Sequence, residues 1–243
     1  MKSLDLIQQV LLIQQADPQE RFNPCIFPLY CSCGLCFVNC CEQENIYQLI
    51  KSDENFEHRE FIYKFTEEKK FFLQKCCFPP SHRSLEIKGE NIYKETIIQI
   101  EKPFKCTFLC FARPQMLINY KNLYIGKVLE PFTCQIFTCL FHELEIYDKN
   151  DSLSYLLKAQ LFQGGVFCAS CFGNSCQIIE YNIFNRNDEK VGSIKHIFDG
   201  LQKEYCTKAD KFGITFPFDA TVEEKVLIIC ATILIDYLLF ENF

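Results

Sequence analysis

The feature that most constrains this fold is an apolar run near the C-terminus, residues 226–240, whose only charged side chain is Asp236. Thr221 and Glu224 precede it with the three-residue spacing of a capping box, which satisfies the first free N–H groups of a helix. A helix of this run would be about 22 Å long at ~1.5 Å per residue. It would be apolar on nearly every face, so it must be buried all round.

Two interpretations of this helix remain open, the centre of a protein core and a short membrane anchor. A bilayer core is about 30 Å thick and usually takes about 20 apolar residues to cross. The length of the run and the presence of Asp236 favour the core helix. Ile229 and Ile233, in the middle of the run, are then expected to be buried together with Asp236.

Upstream of this run, short segments alternate between apolar and polar residues. Such alternation is typical of antiparallel strands with one wet face. Polar clusters at 149–152 and 185–188 suit tight hairpins. This pattern predicts a sandwich or a barrel, and the C-terminal helix would fill a barrel's interior. The alternating segments are residues 61–65, 70–74, 84–88, 96–100, 143–147, 154–158 and 178–183.

Several motifs carry a resemblance to a known family. Residues 209–219 (Ala-Asp-Lys-Phe-Gly-Ile-Thr-Phe-Pro-Phe-Asp) and the run at 226–240 resemble the C-terminal signature of the phospholipid scramblases. Residues 101–106, 125–128 and 191–196 are similar to further segments of that family. The resemblance implies a mainly β, tubby-like fold, in which a closed barrel of about twelve antiparallel strands wraps around the hydrophobic C-terminal helix.

The resulting domain prediction has two parts. Residues 1–44 are expected to form an N-terminal helix followed by a cysteine-rich segment, because Leu4, Ile7 and Val10 are spaced for one apolar helix face. Residues 45–243 are expected to form the barrel, with the central helix at 221–241.

Charge and cysteine usage limit the environment and the partners. The net charge is −6 and the pI is near 5.4, which argues against nucleic-acid binding because such surfaces are basic. An odd count of 17 cysteines, without a recognisable secretory signal, favours reduced thiols. We therefore expect a protein associated with the plasma membrane or a mitochondrial membrane, facing the cytosol or the matrix.

The cysteines allow three interpretations: zinc ligands, S-acylation sites or inert packing. The two C-x₂-C pairs, at 33–36 and 168–171, have zinc-site spacing, but 131 residues separate them, so zinc is not expected. The resemblance places the family's palmitoylation stretch at Cys106 and Cys110. The denser N-terminal cluster is the better candidate for lipid attachment. It comprises Cys31, Cys33, Cys36, Cys40 and Cys41.

Nothing in the sequence indicates catalysis. The four histidines, His58, His82, His142 and His196, are scattered, and none lies in a triad or metalloprotease motif. His142 is interpreted as a satisfied surface histidine. Phosphate-binding glycine loops are not found either, so the sequence predicts a protein that is not an enzyme.

The resemblance places a proposed calcium loop at residues 208–219, and its pattern here is degenerate. A calcium loop of this kind takes ligands from positions 1, 3, 5, 7, 9 and 12. Lys208 occupies position 1, Phe212 position 5 and the short Asp219 position 12, so Asp210 and Asp219 are the only carboxylates. We therefore expect calcium to bind weakly or not at all, and no other cofactor is expected.

Two functions from different classes follow. The resemblance implies a phospholipid scramblase that moves lipids between leaflets without ATP and in a calcium-dependent way. The alternative is a non-catalytic structural or accessory subunit of a larger membrane protein complex that keeps the scramblase fold. The degenerate calcium loop favours this alternative. In both cases the expected partner is a phospholipid membrane.

Overall fold

The structure is a computed structural model of the 243-residue chain. It describes eight segments of the chain, which together contain all the elements discussed below. They are residues 4–15, 45–53, 60–68, 83–105, 113–131, 141–160, 180–197 and 210–240.

Twelve antiparallel strands close into one barrel, and a single α-helix, α1, follows the last strand. Each strand pairs with its neighbours in sequence, and β1 closes the barrel by pairing with both β12 and β2. The strands are β1 (Gln9–Gln14), β2 (Ile46–Lys51), β3 (Glu60–Glu67), β4 (Leu85–Glu90), β5 (Thr96–Lys102), β6 (Gln115–Tyr120), β7 (Leu123–Leu129), β8 (Phe141–Asp148), β9 (Leu153–Gln160), β10 (Glu180–Phe184), β11 (Lys190–His196) and β12 (Lys211–Thr215). This architecture confirms the predicted barrel.

Alternation along the strands creates the barrel interior. In β4 and β10, for example, every second side chain is buried, because successive side chains of a strand point to opposite faces. Gly126 in β7 has φ +153°, and an added Cβ would collide with the backbone oxygen of Tyr147. Only glycine fits there, which gives the Ile-Gly-Lys-Val segment a structural reason.

Helix α1 (Val222–Ile235) fills this interior, and a π-helical turn (Asp236–Phe240) continues it. The predicted capping box is present: Thr221 Oγ1 accepts from the Glu224 N–H, and the Glu224 carboxylate accepts from the Thr221 N–H. Every residue from 225 to 237 is buried, Ile229 and Ile233 among them. The prediction of a core helix is confirmed.

The prediction of an N-terminal helix is wrong for the described residues of that segment. A 3-10 turn (Leu4–Leu6) leads into strand β1. Leu4, Ile7 and Val10 are buried, as their helical spacing suggested. Leu11 and Leu12 are buried as well, so that spacing describes the burial of this segment only in part. The barrel needs this segment as the strand between β12 and β2, and those two ladders outweigh the local helical pattern. The barrel therefore begins before residue 45.

The two ends of the barrel differ in their connections. At the end near the start of α1, β6 stops at Tyr120 and β7 begins at Leu123, and the other strand-to-strand connections there are also short. We call this the hairpin end. All connections at the opposite end are longer, and that end also holds the C-terminal end of α1. We call it the long-connection end. It joins β1 to β2, β3 to β4, β5 to β6, β7 to β8, β9 to β10 and β11 to β12.

Three hairpins use the same turn. The side-chain oxygens of Asn91, Asp148 and Asn185 each accept hydrogen bonds from the N–H groups two and four residues later, at 2.8–3.0 Å. Such Asx turns explain the predicted polar clusters at 149–152 and 185–188. The β6–β7 turn instead places both Lys121 and Asn122 at positive φ, the pattern of a type I′ hairpin.

Candidate functional site

The described polar groups concentrate around the C-terminal end of α1, at the long-connection end. Asp236 has no exposed surface, and its Oδ2 accepts a hydrogen bond from the Tyr47 hydroxyl at 2.5 Å. The next residue, Tyr237, donates from its hydroxyl to Glu67 Oε2 at 3.0 Å. The rings of Tyr47 and Tyr237 meet edge to face, 6.5 Å apart. These contacts fix the end of the helix to β2 and β3.

The network continues around the barrel wall. Glu67 Oε2 also accepts from the N–H of Asn45, whose side-chain oxygen accepts from Gln14 Nε2 at 3.0 Å. Gln14 Oε1 accepts from the N–H of Asp210, and the Asp210 carboxylate lies 2.8 Å from His196 Nε2. A continuous chain of polar contacts therefore runs from β3 through β2 and β1 to β12 and β11.

A second buried cluster lies at the same end, where β7 ends and β8 begins. Tyr181 Oη lies 2.7 Å from His142 Nδ1, and His142 Nε2 lies 3.5 Å from Glu130, which also pairs with Arg113. Burial, together with the Arg113 charge, lowers the pKa of His142 to about 4. A neutral His142 accepts from the Tyr181 hydroxyl at Nδ1 and keeps its proton on Nε2, which faces Glu130.

The interpretation of His142 as a surface histidine is therefore wrong. Its side chain is 7% exposed, because β8 turns it toward the barrel interior and against the Tyr181 ring. It is nevertheless hydrogen-bonded, as expected of a buried polar group. A single histidine in an alternating strand gives no signal of which face it occupies unless the strand's register is known.

Lys225 holds the opposite end of the helix. Its ammonium group donates to the backbone oxygens of Leu4, Asp5 and Ile7 at 2.8–3.0 Å and lies over the Phe216 ring. The side chain has no exposed surface. A lysine in the first helical turn opposes the helix dipole, so these three bonds account for its position. They tie the N-terminal segment across the hairpin end.

The chemistry of these groups is that of structural contacts. Burial raises the pKa of the Tyr181 hydroxyl and of the Cys230 thiol, which keeps both in their neutral forms. A nucleophile needs a lowered pKa or an adjacent base. Within the segments that the structure describes, no three His, Cys, Asp or Glu side chains form a group suited to a metal ion.

The structure separates the residues of the proposed calcium loop. Asp210 immediately precedes β12, Phe212 is buried within β12 against the His196 ring, and Asp219 is exposed in the turn before α1. Lys208 lies outside the described residues. The five residues of β12 span about 17 Å at ~3.3 Å per residue, so the two carboxylates lie at opposite ends of the barrel. Weak or absent calcium binding stays a prediction, and this separation supports it.

The predicted lipid-attachment cysteines lie outside the described residues. They are Cys31, Cys33, Cys36, Cys40, Cys41, Cys106 and Cys110. Cys230, in α1, is the one cysteine within the described segments, and it is buried and reduced. In the sequence, the other sixteen all fall between strands that the long-connection end joins.

Sequence reasoning missed most of the residues that hold the helix. Lys225, Tyr47 and Glu67 were not singled out, because each partner is close only in the folded chain. One signal was present: Lys225 and Asp236 are the two charges on either side of the uninterrupted apolar stretch at residues 226–235. A charge buried at each end of such a helix requires a partner.

The comparisons with known proteins agree on one family. The family model named Scramblase matches residues 34–242. The chain is 27% identical to phospholipid scramblase 2 of Bos taurus over 238 residues, which covers 88% of this chain and 73% of the relative. It is 28% identical to human phospholipid scramblase 2, with 83% and 62% covered, and 26% identical to human phospholipid scramblase 1, with 88% and 68% covered. No solved structure gives a significant match.

The segments described by the structure contain no helix that is both long enough and apolar enough to cross a membrane.

Proposed function

We propose, from the premise that this chain belongs to the Scramblase family, that it is a membrane-associated protein that moves phospholipids between leaflets without ATP. The observation that carries the proposal is the extent of the match. Residues 34–242 include β2 to β12 and the whole of α1. The relatives whose names specify phospholipid scrambling cover most of this chain.

The proposed activity makes and breaks no covalent bond, so the protein would act without being an enzyme. The arrangement of the buried groups supports this. Burial keeps three reactive side chains neutral, those of Tyr181, Cys230 and His142. Each of them is buried in a packed or hydrogen-bonded cluster.

The position of α1 limits the route that a lipid would take. Side chains of α1 such as Leu227, Ile229 and Ile233 fill the barrel interior. A charged headgroup would have to displace this core, which costs more than the marginal stability of a domain. We therefore propose that lipids pass along the outer surface of the barrel.

The second candidate is a non-catalytic accessory subunit of a membrane protein complex. The separation of Asp210 from Asp219 favours it, because a scramblase regulated by calcium at this loop would need these ligands together. For either candidate we propose a reducing, cytosol- or matrix-facing site at the plasma membrane or a mitochondrial membrane.

A lipid-flip assay with the purified full-length chain separates the two candidates. Liposomes carrying a trace of fluorescent phospholipid in both leaflets are treated with dithionite, which bleaches only lipid that reaches the outer leaflet. A scramblase makes the whole signal accessible. We expect this result with calcium and with a chelator alike. Bleaching of the outer leaflet alone, as in protein-free liposomes, would identify the accessory subunit.

Calcium binding is tested separately by calorimetry. We expect no heat of binding at sub-millimolar calcium. A binding isotherm that disappears in Asp210→Ala and in Asp219→Ala, while both variants keep the circular dichroism of the unmodified protein, would restore the calcium-regulated scramblase.

A further inference from the structure

We propose that the protein docks on a lipid surface through its hairpin end, by an apolar edge formed by Ile92, Tyr93, Leu123 and Tyr124. We call these four residues the docking edge. This inference rests on the proposed membrane association and adds the face that makes the contact and the orientation of the barrel.

Six of the exposed large apolar side chains that the structure describes lie at the hairpin end. Ile92, Tyr93 and Leu123 are 69%, 77% and 71% exposed, and Tyr124 is 41% exposed. Leu6 and Phe218, also strongly exposed, lie at the same end. Of the described large apolar side chains that are exposed, only Phe104 lies at the long-connection end. Single exposed apolar residues are ordinary, but a group of them on neighbouring turns indicates a contact surface.

The four side chains of the docking edge lie on neighbouring hairpins. Ile92 and Tyr93 lie in the β4–β5 turn, and Leu123 and Tyr124 follow the β6–β7 turn. Strands β5 and β6 pair directly, and the N–H of Lys121 donates to Ile97 O at 2.7 Å close to both turns. Adjacent strands are about 4.8 Å apart, so the outer strands of the two hairpins, β4 and β7, are separated by roughly 15 Å. The docking edge is therefore one continuous feature.

Both turns hold their apolar side chains in fixed positions. Asn91 Oδ1 accepts from the N–H groups of Tyr93 and Glu95, and the Asn91 side chain donates to the Glu95 carboxylate. In the β6–β7 turn, Lys121 and Asn122 are both in the left-handed region that a two-residue hairpin requires. The edge is thus preorganised, which lowers the entropy cost of docking.

Composition favours a lipid surface over a protein partner. Tyrosine is enriched where a membrane meets water, because its ring is apolar and its hydroxyl is polar. Tyr93 and Tyr124 flank isoleucine and leucine side chains, while Lys94 and Lys121 are exposed beside them. Lysines in this position interact with lipid phosphates while the apolar neighbours insert among the acyl chains. Turn tips protrude, which suits insertion into a deformable surface better than capture of a peptide.

Charge distinguishes these two hairpins from the other three strand-to-strand connections at the same end, of which residues 52–59 carry two net negative charges. Residues 91–95 are neutral and residues 121–124 carry one positive charge, whereas residues 148–152 and 185–189 each carry one net negative charge. The apolar hairpins are thus the ones that an anionic bilayer does not repel, in a chain of net charge −6. Docking through them tilts the polar hairpins away from the membrane.

The absence of tryptophan from the chain allows a direct test of orientation. Tyr93→Trp introduces a single reporter in the docking edge, and Phe104→Trp introduces a matched reporter at the opposite end. Each full-length variant is titrated with vesicles of phosphatidylcholine and phosphatidylserine that contain brominated phosphatidylcholine. We expect the emission of Tyr93→Trp to shift to the blue and to be quenched, and that of Phe104→Trp to stay unchanged. Quenching of Phe104→Trp, or of neither variant, would overturn the proposal.

A loss-of-binding experiment uses the same vesicles without bromine. In co-sedimentation we expect Ile92→Ser/Leu123→Ser to lower the apparent affinity for the vesicles at least tenfold. We expect Phe104→Ser to bind like the unmodified chain. Both variants change exposed positions and should melt at the unchanged temperature. Equal binding by all three proteins would refute the docking edge and leave membrane association standing.

The proposed function fails by a different outcome. If the unmodified chain neither sediments with vesicles nor moves lipid in the flip assay, membrane association itself is wrong. If it moves lipid while the docking-edge variant binds normally, only the present inference is wrong. A dimer that Ile92→Ser/Leu123→Ser dissociates, in a chain that ignores vesicles, would assign the edge to a second copy of the chain and also overturn the proposal.

Discussion

The strand ends are held in place by different contacts at the two ends of the barrel. At the hairpin end, consecutive strands are joined by two residues between β6 and β7 and by at most eight between β2 and β3. At the long-connection end, the shortest connection has eleven residues, between β7 and β8, and the longest has 31, between β1 and β2. The hairpin end is fixed by Asx turns and by Lys225 bonded to backbone oxygens.

At the long-connection end, the described contacts are made between side chains that titrate or carry charge. Asp236 with Tyr47 joins α1 to a strand 189 positions away in sequence, whereas His196 with Asp210 and Glu130 with Arg113 each span one long connection. Short turns specify their own geometry, whereas long connections leave the strand ends to be fixed by partners from other strands. At the hairpin end, hydrogen bonds from the N–H groups of its turn lower the pKa of the Asp148 carboxyl, and at the long-connection end burial lowers the pKa of His142 to about 4. We expect the largest effect of pH at His142.

The largest effect on stability is expected from a substitution in α1, the helix that reaches both ends of the barrel. Ile233→Asp places an unpaired carboxylate in the middle of α1, where the side chain has no exposed surface. Burying it costs roughly 4 kcal/mol or more, a large part of a domain's stability, so we expect no cooperative thermal transition by circular dichroism. Phe218→Asp, at an exposed position, is the control and should fold. A folded Ile233→Asp protein would contradict the core position of the helix.

The second largest effect is expected from acid, which should destabilise the barrel through His142 at the long-connection end. The pKa of His142 is about 4 in the folded protein and near 6.5 in the unfolded chain. Between these values the unfolded chain binds more protons, so stability falls as the pH drops from 6.5 to 4. The loss is up to about 3 kcal/mol. Glu130, Arg113, Glu143 and Tyr181 surround the ring or adjoin it.

Urea unfolding across this pH range measures the loss, and His142→Gln is the matched variant because glutamine keeps polar contacts without titrating. We expect the variant to have a flatter profile between pH 6.5 and 4 than the unmodified chain. Parallel profiles would show that His142 is not the titrating group.

A smaller and local effect is expected at the hairpin end. Lys225→Met keeps the length of the side chain and removes its three hydrogen bonds to Leu4, Asp5 and Ile7. We expect a loss of about 2 kcal/mol, with faster hydrogen exchange in β1 and little change in β7 to β10. Lys190→Met, at an exposed position, serves as the control. Uniformly faster exchange throughout the barrel would mean that Lys225 stabilises more than its own end.

The smallest effect concerns one pair at the long-connection end. A double-mutant cycle of Tyr47→Phe with Asp236→Asn should give a coupling energy of about 1–2 kcal/mol, because the hydroxyl and the carboxylate share one buried hydrogen bond. The same cycle for Tyr237→Phe with Glu67→Gln provides the comparison. Additive losses in both cycles would show that packing of the rings, rather than these bonds, fixes the helix end.

Half of the twelve strands could be predicted from local alternation. The alternating segments at 61–65, 84–88, 96–100, 143–147, 154–158 and 178–183 overlap β3, β4, β5, β8, β9 and β10. The segment at 70–74 lies outside the described residues. Strands β2, β6 and β12 were not assigned, because IYQLIK, QMLINY and KFGIT alternate too briefly to stand out. β1 was assigned as a helix for the reason given above.

The sequence by itself determined the central helix and the barrel class. Residues 226–240 are apolar on nearly every face, and capping by Thr221 and Glu224 is local, so both follow from neighbouring residues. Only the tertiary structure decided the partners of Lys225, Asp236 and His142 and the separation of Asp210 from Asp219. It also decided that Ile92, Tyr93, Leu123 and Tyr124 share one end. Each of these depends on strand register and barrel closure, which bring together residues up to 221 positions apart. Local patterns carry no information about such distances.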